Sequence, residues 1–199
     1  QKFRRDTVLL LIIWFANAFV YYGLVLLTTE LALIRERAGT SSGSEAAHQG
    51  LATKLMCQPN QVGALLAKLD GVNALTDVTG FGFAGHLIEM CQGGGLSAII
   101  DPAAIPELPG LDDYVTQGCV PGGTQRNFDA LRDGLPTLAS RELAVLCDPQ
   151  TSGGLLVAVS PSDVEDVQQL LTERELPSTV VGSFIPNENG ESAIHLQAE

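Results

Sequence analysis

The sequence predicts an α+β protein, a mixed α/β sandwich that is preceded by one membrane-type α-helix. Three observations support this fold class. Residues 7–29 form an uncharged apolar run of 23 residues, which is long enough to span a bilayer as a helix. Residues 38–51 are small and polar, as is typical of a flexible linker. From residue 52 onward, short β-branched runs alternate with segments of helical periodicity.

We therefore expect a transmembrane helix with basic flanks in residues 1–37, a linker in 38–51 and a folded domain in 52–199. Three basic residues precede the apolar run and two follow it. This slight excess favours a cytoplasmic N-terminus, with the rest of the chain on the far side. The first residue is Gln1 rather than Met, which suggests a fragment, a processed product or an incomplete gene model.

Composition argues against two kinds of function. The net charge is -12 and the chain has 11 Lys and Arg residues, which disfavours nucleic acid as a partner because phosphates require clustered cations. No C-x-x-C pair occurs among the cysteines, so a zinc site is not expected. We expect reduced thiols at the four positions Cys57, Cys91, Cys119 and Cys147.

Periodicity and turn residues predict the elements of the folded domain, which we expect to surround one sheet. Asn60 is placed to cap the first helix, and three consecutive glycines follow the second. The predicted helices span residues 61–69, 83–91, 111–117, 140–146 and 162–173. The predicted strands span residues 72–75, 96–100, 155–159, 179–185 and 193–196.

The stretch Thr76–His86, TDVTGFGFAGH, joins a predicted strand to a predicted helix. This arrangement is typical of an anion site, because a helix start has unpaired N–H groups and glycine lets a phosphate approach the backbone. Asp77 beside the turn is suited to hold the Mg²⁺ that a nucleotide brings. The alternative is a glycine-rich turn that only packs a helix onto a sheet.

Residues 80–85 also match G-x-G-x-x-G, and Asp101 ends the next apolar run. By spacing alone, these residues match the dinucleotide-binding fingerprint. Against it, residues 76–79 separate the strand from the first glycine, and the later segments lack a second βαβαβ half. We therefore rank dinucleotide binding below the phosphate-site interpretation.

Two further polar clusters lie downstream. In CVPGGTQRN, residues 119–127, two glycines free the backbone and Arg126 is suited to bidentate contact with a phosphate or carboxylate. A surface loop with a solvated arginine explains this cluster equally well. The third cluster, DPQTSGG, occupies Asp148–Gly154 and precedes a strand.

Taken together, LTDVTGFGFAGHLIEM (75–90), GCVPGGTQRN (118–127) and DPQTSGGLLVAV (148–159) resemble the C-terminal half of selenophosphate synthetases, or selenide, water dikinases. The resemblance covers residues 52–197. The D-x-T-G-F-G run is shared with the wider aminoimidazole ribonucleotide synthetase superfamily, whereas the other two clusters point to the selenium enzymes. The resemblance implies a cytoplasmic domain that makes selenophosphate from selenide, ATP and water with Mg²⁺.

The resemblance also implies roles for individual residues. Asp77 corresponds to the aspartate that binds Mg²⁺ at the ATP phosphates. Three residues would shape its turn, namely Thr79, Gly80 and Gly82. Four others would lie beside that turn as structural or anion-facing residues, namely Gly123, Thr124, Arg126 and Asn127.

No catalytic residue is expected in this chain. In the resembled family the reactive Cys or selenocysteine, a Lys and further metal-binding aspartates belong to the N-terminal half, and residues 1–50 match none of it. We expect the domain to be incomplete in catalysis unless a homodimer partner or a complementing N-terminal half supplies them. ATP and selenide are the implied small-molecule partners.

Residues 3–31 resemble one membrane helix of the synaptic-vesicle-protein-related branch of the major facilitator transporters. A single helix of this kind is not expected to transport anything. It predicts contact with the membrane through residues 7–29 and a single-pass membrane location, although the resembled domain itself is cytoplasmic. A non-catalytic membrane-anchored binding protein, or a chimeric gene model, therefore remains the alternative function.

Overall fold

The structure is a computed structural model that describes residues 51, 54–150, 152–187 and 193–197. The predicted membrane helix at 7–29 lies outside these residues, as does the linker at 38–51 apart from residue 51. Both therefore stay predictions. Within the described part, no helix is long and apolar enough to cross a membrane.

Helices and strands alternate along the described chain, which confirms the predicted mixed α/β character. In chain order the elements are α1 (Gly63–Leu66), β1 (Val72–Asp77), α2 (Gly82–Gly94), β2 (Leu96–Ile100), α3 (Leu111–Thr116), α4 (Gly122–Leu131), α5 (Ser140–Leu146), β3 (Leu155–Val159), α6 (Val164–Thr172), β4 (Gly182–Pro186) and β5 (Ile194–Leu196). Short 3₁₀ turns occur at Pro102–Ala104, Arg132–Gly134 and Pro161–Asp163.

The described strands form two sheets, so the predicted single sheet is wrong. In the first sheet β1 pairs antiparallel with β3, with Asp77 opposite Leu155. In the second, β2 lies between β4, which is antiparallel, and β5, which is parallel. Hydrophobic alternation shows which segments are strands, but strand partners lie far apart in the chain and local pattern does not identify them.

This topology excludes the dinucleotide-binding alternative. The strands on either side of α2 are β1 and β2, and they belong to different sheets. A dinucleotide fold requires that these two strands lie parallel in one sheet. The Asp101 carboxylate has a local role instead, because it accepts a hydrogen bond from the Ala103 N–H at 2.9 Å and so caps the 3₁₀ turn.

The helix α2 is the centre of the apolar core. Eight of its residues are buried, six with side chains and two glycines: Gly82, Phe83, Ala84, Gly85, His86, Leu87, Ile88 and Cys91. The same core includes Leu156 of the first sheet and Ile100 and Ile194 of the second. One apolar core therefore joins both sheets to α2.

The first predicted helix is shorter than expected, and its cap is wrong. Only Gly63–Leu66 is α-helical, and no side chain caps it. The Asn60 side chain instead reaches the Gly154 carbonyl, at 3.5 Å. Of the predicted apolar face, Leu66 is fully buried whereas Leu65 is exposed, so too few side chains are buried to hold a longer helix.

The other boundaries follow the prediction more closely. The predicted bounds of β2, β3 and α5 are confirmed to the residue. The strand predicted at 179–185 begins later, at Gly182, because its pairing with β2 starts there and Val180 before it is exposed. The last strand begins at Ile194 rather than residue 193, and β1 continues two residues further than predicted, to Asp77.

Candidate functional site

Three polar motifs meet where β1 ends and β3 begins. We name them the first motif (Thr76–His86), the second motif (Gly122–Asn127) and the third motif (Asp148–Gly154, of which Thr151 is not described). Beyond the β1–β3 pairing, the Val78 N–H donates to the Gly154 carbonyl at 3.0 Å, and the Gly153 N–H donates to the Val78 carbonyl at 2.9 Å. Backbone hydrogen bonds therefore hold the first and third motifs side by side.

Asn127 connects all three motifs. Its Nδ2 donates to the Gly80 carbonyl at 2.9 Å and to the Cys147 carbonyl at 3.0 Å. Gly80 belongs to the first motif, and Cys147 immediately precedes the third. One primary amide has two N–H groups, so both donors of the half-buried Asn127 side chain are used in fixing the junction.

The second and third motifs also pack directly on each other. Thr124 is completely buried, and its Oγ1 lies 3.5 Å from Asp148 Oδ1. Asp148 Oδ2 accepts a hydrogen bond from the Gln150 side chain. A Cβ on Gly123 would lie 2.7 Å from Pro149 Cγ, so the close approach of the two motifs requires glycine at this position.

The second motif is helical rather than the loop that the sequence predicted. It forms the first turns of α4, which begins at Gly122 directly after Pro121. Two adjacent glycines favour a flexible loop on propensity. Here the buried Thr124 and the amide of Asn127 bind one face of the segment to the third motif, and this tertiary contact outweighs the local preference.

Gly82 has a packing role that the anion-site hypothesis did not include. Its φ is +72°, a backbone conformation that favours glycine. A Cβ there would also lie 2.9 Å from the Cys147 carbonyl carbon and 3.0 Å from the Leu146 oxygen. By contrast, a Cβ on Gly80 would meet no atom within 4 Å. At Gly82 the close neighbour is thus the backbone after α5.

Thr79 and His86 form a buried pair within the first motif. The Thr79 N–H donates to His86 Nε2 at 3.1 Å, and Thr79 Oγ1 lies 3.0 Å from the same nitrogen. The Thr79 carbonyl accepts from the N–H groups of Gly82 and Gln150. His86 was not among the predicted site residues, and the signal that could have revealed it is a histidine within the apolar pattern of α2.

Asp77 is the exposed last residue of β1, next to the junction. In the described chain it belongs to no group of three or more His, Cys, Asp or Glu residues that could hold a metal. A single carboxylate oxygen still fits Mg²⁺, which binds proteins through one or two carboxylates and completes its shell with water and phosphate oxygens. Asp77 is therefore a candidate ligand, and the described residues form no closed cage of three or more ligands around it.

Arg126 is an exposed cation at the start of α4. Its Nη1 and Nη2 lie 3.7 and 3.6 Å from the positions that a Cβ would take on Gly122 and Gly123. Among the described residues, it makes no hydrogen bond or ion pair. Its guanidinium therefore lies over the first turn of the helix, where α4 has no side-chain cap, and is available for an anion.

The two buried cysteines, Cys91 and Cys147, are poorly suited to act as nucleophiles. The structure pairs none of the four cysteines in a disulfide, and their reduced state stays a prediction. Burial raises the pKa of the Cys147 thiol to about 11 and also raises the pKa of Cys91. Only a thiolate attacks well, so neither buried thiol is suited to covalent catalysis.

Residues 24–195 match the family described as AIR synthase related protein, C-terminal domain. This range begins inside the apolar run, so the domain boundary at residue 52 stays a prediction. A solved structure of thiamine-monophosphate kinase from Stenotrophomonas maltophilia covers 70% of this chain and 34% of its own, with a TM-score of 0.43 and 15% identity. That similarity is too low to carry a further argument.

Curated relatives with the name selenide, water dikinase are considerably more similar. The protein from Haemophilus influenzae (strain 86-028NP) is 46% identical over 150 residues, 75% of this chain and 43% of that protein. The protein from Shewanella sp. (strain ANA-3) is 53% identical over 134 residues, 67% of this chain and 38% of that protein. The chain thus spans about two fifths of these relatives. It belongs to the AIR synthase related protein, C-terminal domain family.

Proposed function

We propose that the junction of the three motifs forms one side of a Mg-ATP phosphate site, and that the domain takes part in making selenophosphate from selenide, ATP and water. The observation that carries this proposal is the double hydrogen bond of Asn127, which brings the three motifs of the resemblance into one place. The first motif contributes an exposed carboxylate, Asp77, and the second contributes an exposed guanidinium, Arg126.

Each predicted site residue has a part in this proposal. Asp77 supplies a carboxylate oxygen to the Mg²⁺ that accompanies the nucleotide, and Arg126 pairs with phosphate oxygens, for which its planar fork is suited. The remaining residues build the frame that holds these two: Thr79, Gly80 and Gly82 in the first motif, and Gly123, Thr124 and Asn127 in the second.

Phosphoryl transfer needs positioning and charge neutralisation more than covalent chemistry by the protein. Bound Mg²⁺ would supply a Lewis acid at the phosphates. The residues of this chain would fix where the cation and the phosphates lie, because part-buried hydrogen bonds hold the junction and a preorganised frame needs no rearrangement during the reaction. This division of roles suits a domain that provides a preorganised surface and no nucleophile.

The complete activity is proposed only for the domain together with the part that its longer relatives contain. Since the described residues include no group of three or more potential metal ligands, we expect weak Mg-ATP binding by the chain alone. A second chain, either another copy or a complementing N-terminal half, would supply the reactive residue and further carboxylates. Membrane attachment through residues 7–29 is a separate proposal that these described residues do not address.

Phosphorus NMR tests the proposal. The purified chain is incubated with Mg-ATP and selenide under reducing conditions, alone and with the separately expressed N-terminal part of the Haemophilus influenzae relative. We expect selenophosphate only in the mixture, and a loss of at least about tenfold with Asp77→Asn or Arg126→Gln, because each removes one charge at the phosphates.

Two matched variants control for the loss of charge itself. Asp113→Asn removes an exposed carboxylate on α3, and Arg174→Gln removes a cation just after α6. Both should leave the signal unchanged. If Mg-ATP binds neither the chain nor the mixture, or if Asp77→Asn behaves as Asp113→Asn does, the proposed phosphate site is wrong.

A further inference from the structure

We propose that His86 is a positioning residue: a neutral imidazole, protonated on Nδ1, whose Nε2 fixes the turn that joins Asp77 to α2. The side chain lies inside the domain with 8% of its surface exposed, and it is outside the set of residues assigned to Mg-ATP. Its effect on Asp77 rests on the proposed function, whereas its tautomer and its hold on the turn do not.

The hydrogen bonds of Nε2 determine the tautomer. A backbone N–H can only donate, and the Thr79 N–H points at Nε2 from 3.1 Å. The nitrogen must therefore present its lone pair, which requires that the ring be neutral and carry its proton on Nδ1. The Thr79 hydroxyl, 3.0 Å from the same atom, can donate to this lone pair as well.

The surroundings of Nδ1 favour the same tautomer. Nδ1 lies 3.5 Å from Glu89 Oε2, one turn further along α2. This separation is too long for a well-formed hydrogen bond, and Nδ1 is the one fully buried side-chain nitrogen or oxygen in the described chain without a hydrogen-bond partner. A proton on Nδ1 points an N–H toward the carboxylate, whereas a bare lone pair there would face negative charge.

The hydrogen bond to Nε2 comes from Thr79, which, like Val78, links the first and third motifs. The Thr79 carbonyl accepts from Gln150 N–H at 3.2 Å and from Gly82 N–H at 2.9 Å. With its N–H held by His86, the peptide groups on both sides of Thr79 are fixed. Asp77 precedes Thr79 by two residues, so the imidazole restrains the direction in which the β1 carboxylate leaves the sheet.

The ring is shielded from water on one side by Phe81. The two rings meet edge to face, with centroids 5.9 Å apart and an interplanar angle of 64°. Although Phe81 is largely exposed, it covers the imidazole where the turn reaches the surface. This cover favours a stable tautomer over exchange between the two forms.

Imidazole nitrogen NMR of the full chain tests the tautomer directly, without a substitution. We expect one His86 signal set with a pyridine-type Nε2 and a protonated Nδ1 at neutral pH. A protonated Nε2, or a ring averaged between tautomers, would overturn the proposal.

Substitution tests the hold on the turn. His86→Gln keeps an acceptor oxygen that reaches about as far as Nε2, whereas His86→Leu has none. We expect amide exchange at Thr79 to accelerate about tenfold in the Leu variant, the loss of one ordinary hydrogen bond, and to change little in the Gln variant. The Ala98 amide, which donates to the Ala193 carbonyl in the other sheet, is the internal reference.

Unchanged Thr79 exchange in His86→Leu would overturn the proposal, as would equal acceleration in both variants. If His86→Leu does not fold, the tautomer and the Gln variant decide. For the effect on Asp77, we expect the Leu variant to weaken binding of Mg-ATP several-fold and the Gln variant to restore it. Absence of any Mg-ATP binding by both the unsubstituted chain and its mixture with the N-terminal part would instead count against the proposed function, and the tautomer result would stand.

Discussion

The two sheets of this domain are held in place by different interactions. In the sheet β4–β2–β5, Ser97, Ala98, Ile100 and Ile194 have at most 2% of their surface exposed. In the sheet β1–β3, only Leu156 is buried, and the strands continue into polar motifs joined by hydrogen bonds. Apolar burial therefore stabilises the sheet without predicted site residues, whereas polar contacts shape the sheet that carries the site.

This difference implies that the stability of the domain and the geometry of its candidate site can be changed separately. Burial energy is spread over many contacts and is not directional. Hydrogen bonds are few and directional, so one lost donor leaves specific buried carbonyls without a partner. Substitutions that are equally disruptive by sterics should consequently have different effects on binding in the two sheets.

Alanine substitutions of Gly182 in one sheet and of Gly82 beside the other test the comparison between the two sheets. They should have the largest effects. A Cβ on Gly182 would overlap the Ile99 backbone oxygen, and one on Gly82 would lie 2.9 Å from the Cys147 carbonyl carbon. Each Ala variant should lose about 1–3 kcal/mol of unfolding free energy through overpacking, and Gly82→Ala about 1–3 kcal/mol more because of its positive φ. Urea denaturation measures both.

Gly80→Ala is the matched control, since its Cβ would enter open space, and it should change stability by less than about 0.5 kcal/mol. Among molecules that stay folded, Gly82→Ala should weaken Mg-ATP binding and Gly182→Ala should not. Equal weakening by Gly182→Ala would show that the two sheets are not separable.

Substitution of Asn127 tests how much its two hydrogen bonds stabilise the junction of the three motifs. Asn127→Leu leaves the Gly80 and Cys147 carbonyls without this donor, which should cost about 1–3 kcal/mol. Asn73→Leu is a suitable control, because Asn73 also makes two hydrogen bonds, to Gly71 and Ser160, but on the surface. Thermal unfolding of both variants should show the larger loss for Asn127, and equal losses would contradict the assigned role.

The smallest effect concerns pH. Burial raises the pKa of Cys147 to about 11 from an ordinary 9.0, so the unfolded chain loses this proton at lower pH than the folded one. The stabilisation is therefore complete below pH 9 and is lost as pH rises toward 11. Cys147→Ala should show a shallower fall in unfolding free energy over this interval, measured by urea denaturation, than Cys119→Ala does. An identical slope would show that Cys147 is not protected by burial.

Local pattern was sufficient for much of the fold. The bounds of two strands, the β-branched run at 96–100 and the apolar run at 155–159, were predicted to the residue. The shortness of α1 was not predicted, because local pattern does not show that Leu65 stays exposed while Leu66 is buried. The helical second motif was not predicted, because Thr124 is held by a contact with Asp148, 24 residues further along the chain. The division into two sheets depends on such distant partners as well.

The residues of the candidate site could be predicted from the sequence, but the contacts between them could not. Sequence motifs and their resemblance identified the three segments that meet, and they identified Asn127 as a member. They did not show that its amide bridges two carbonyls, that Gly82 faces backbone or that His86 holds Thr79. These contacts join residues that come close only when the chain folds, so the local sequence does not show them.

The bridge made by Asn127 has a consequence for biosynthesis. Its two acceptors lie 47 residues before it and 20 residues after it, and the third motif follows later still. A nascent chain that has released the first motif from the ribosome therefore lacks the partners that shape it. The site becomes complete only after Gly154 has emerged, so any shortened translation product that ends before the third motif would lack it altogether.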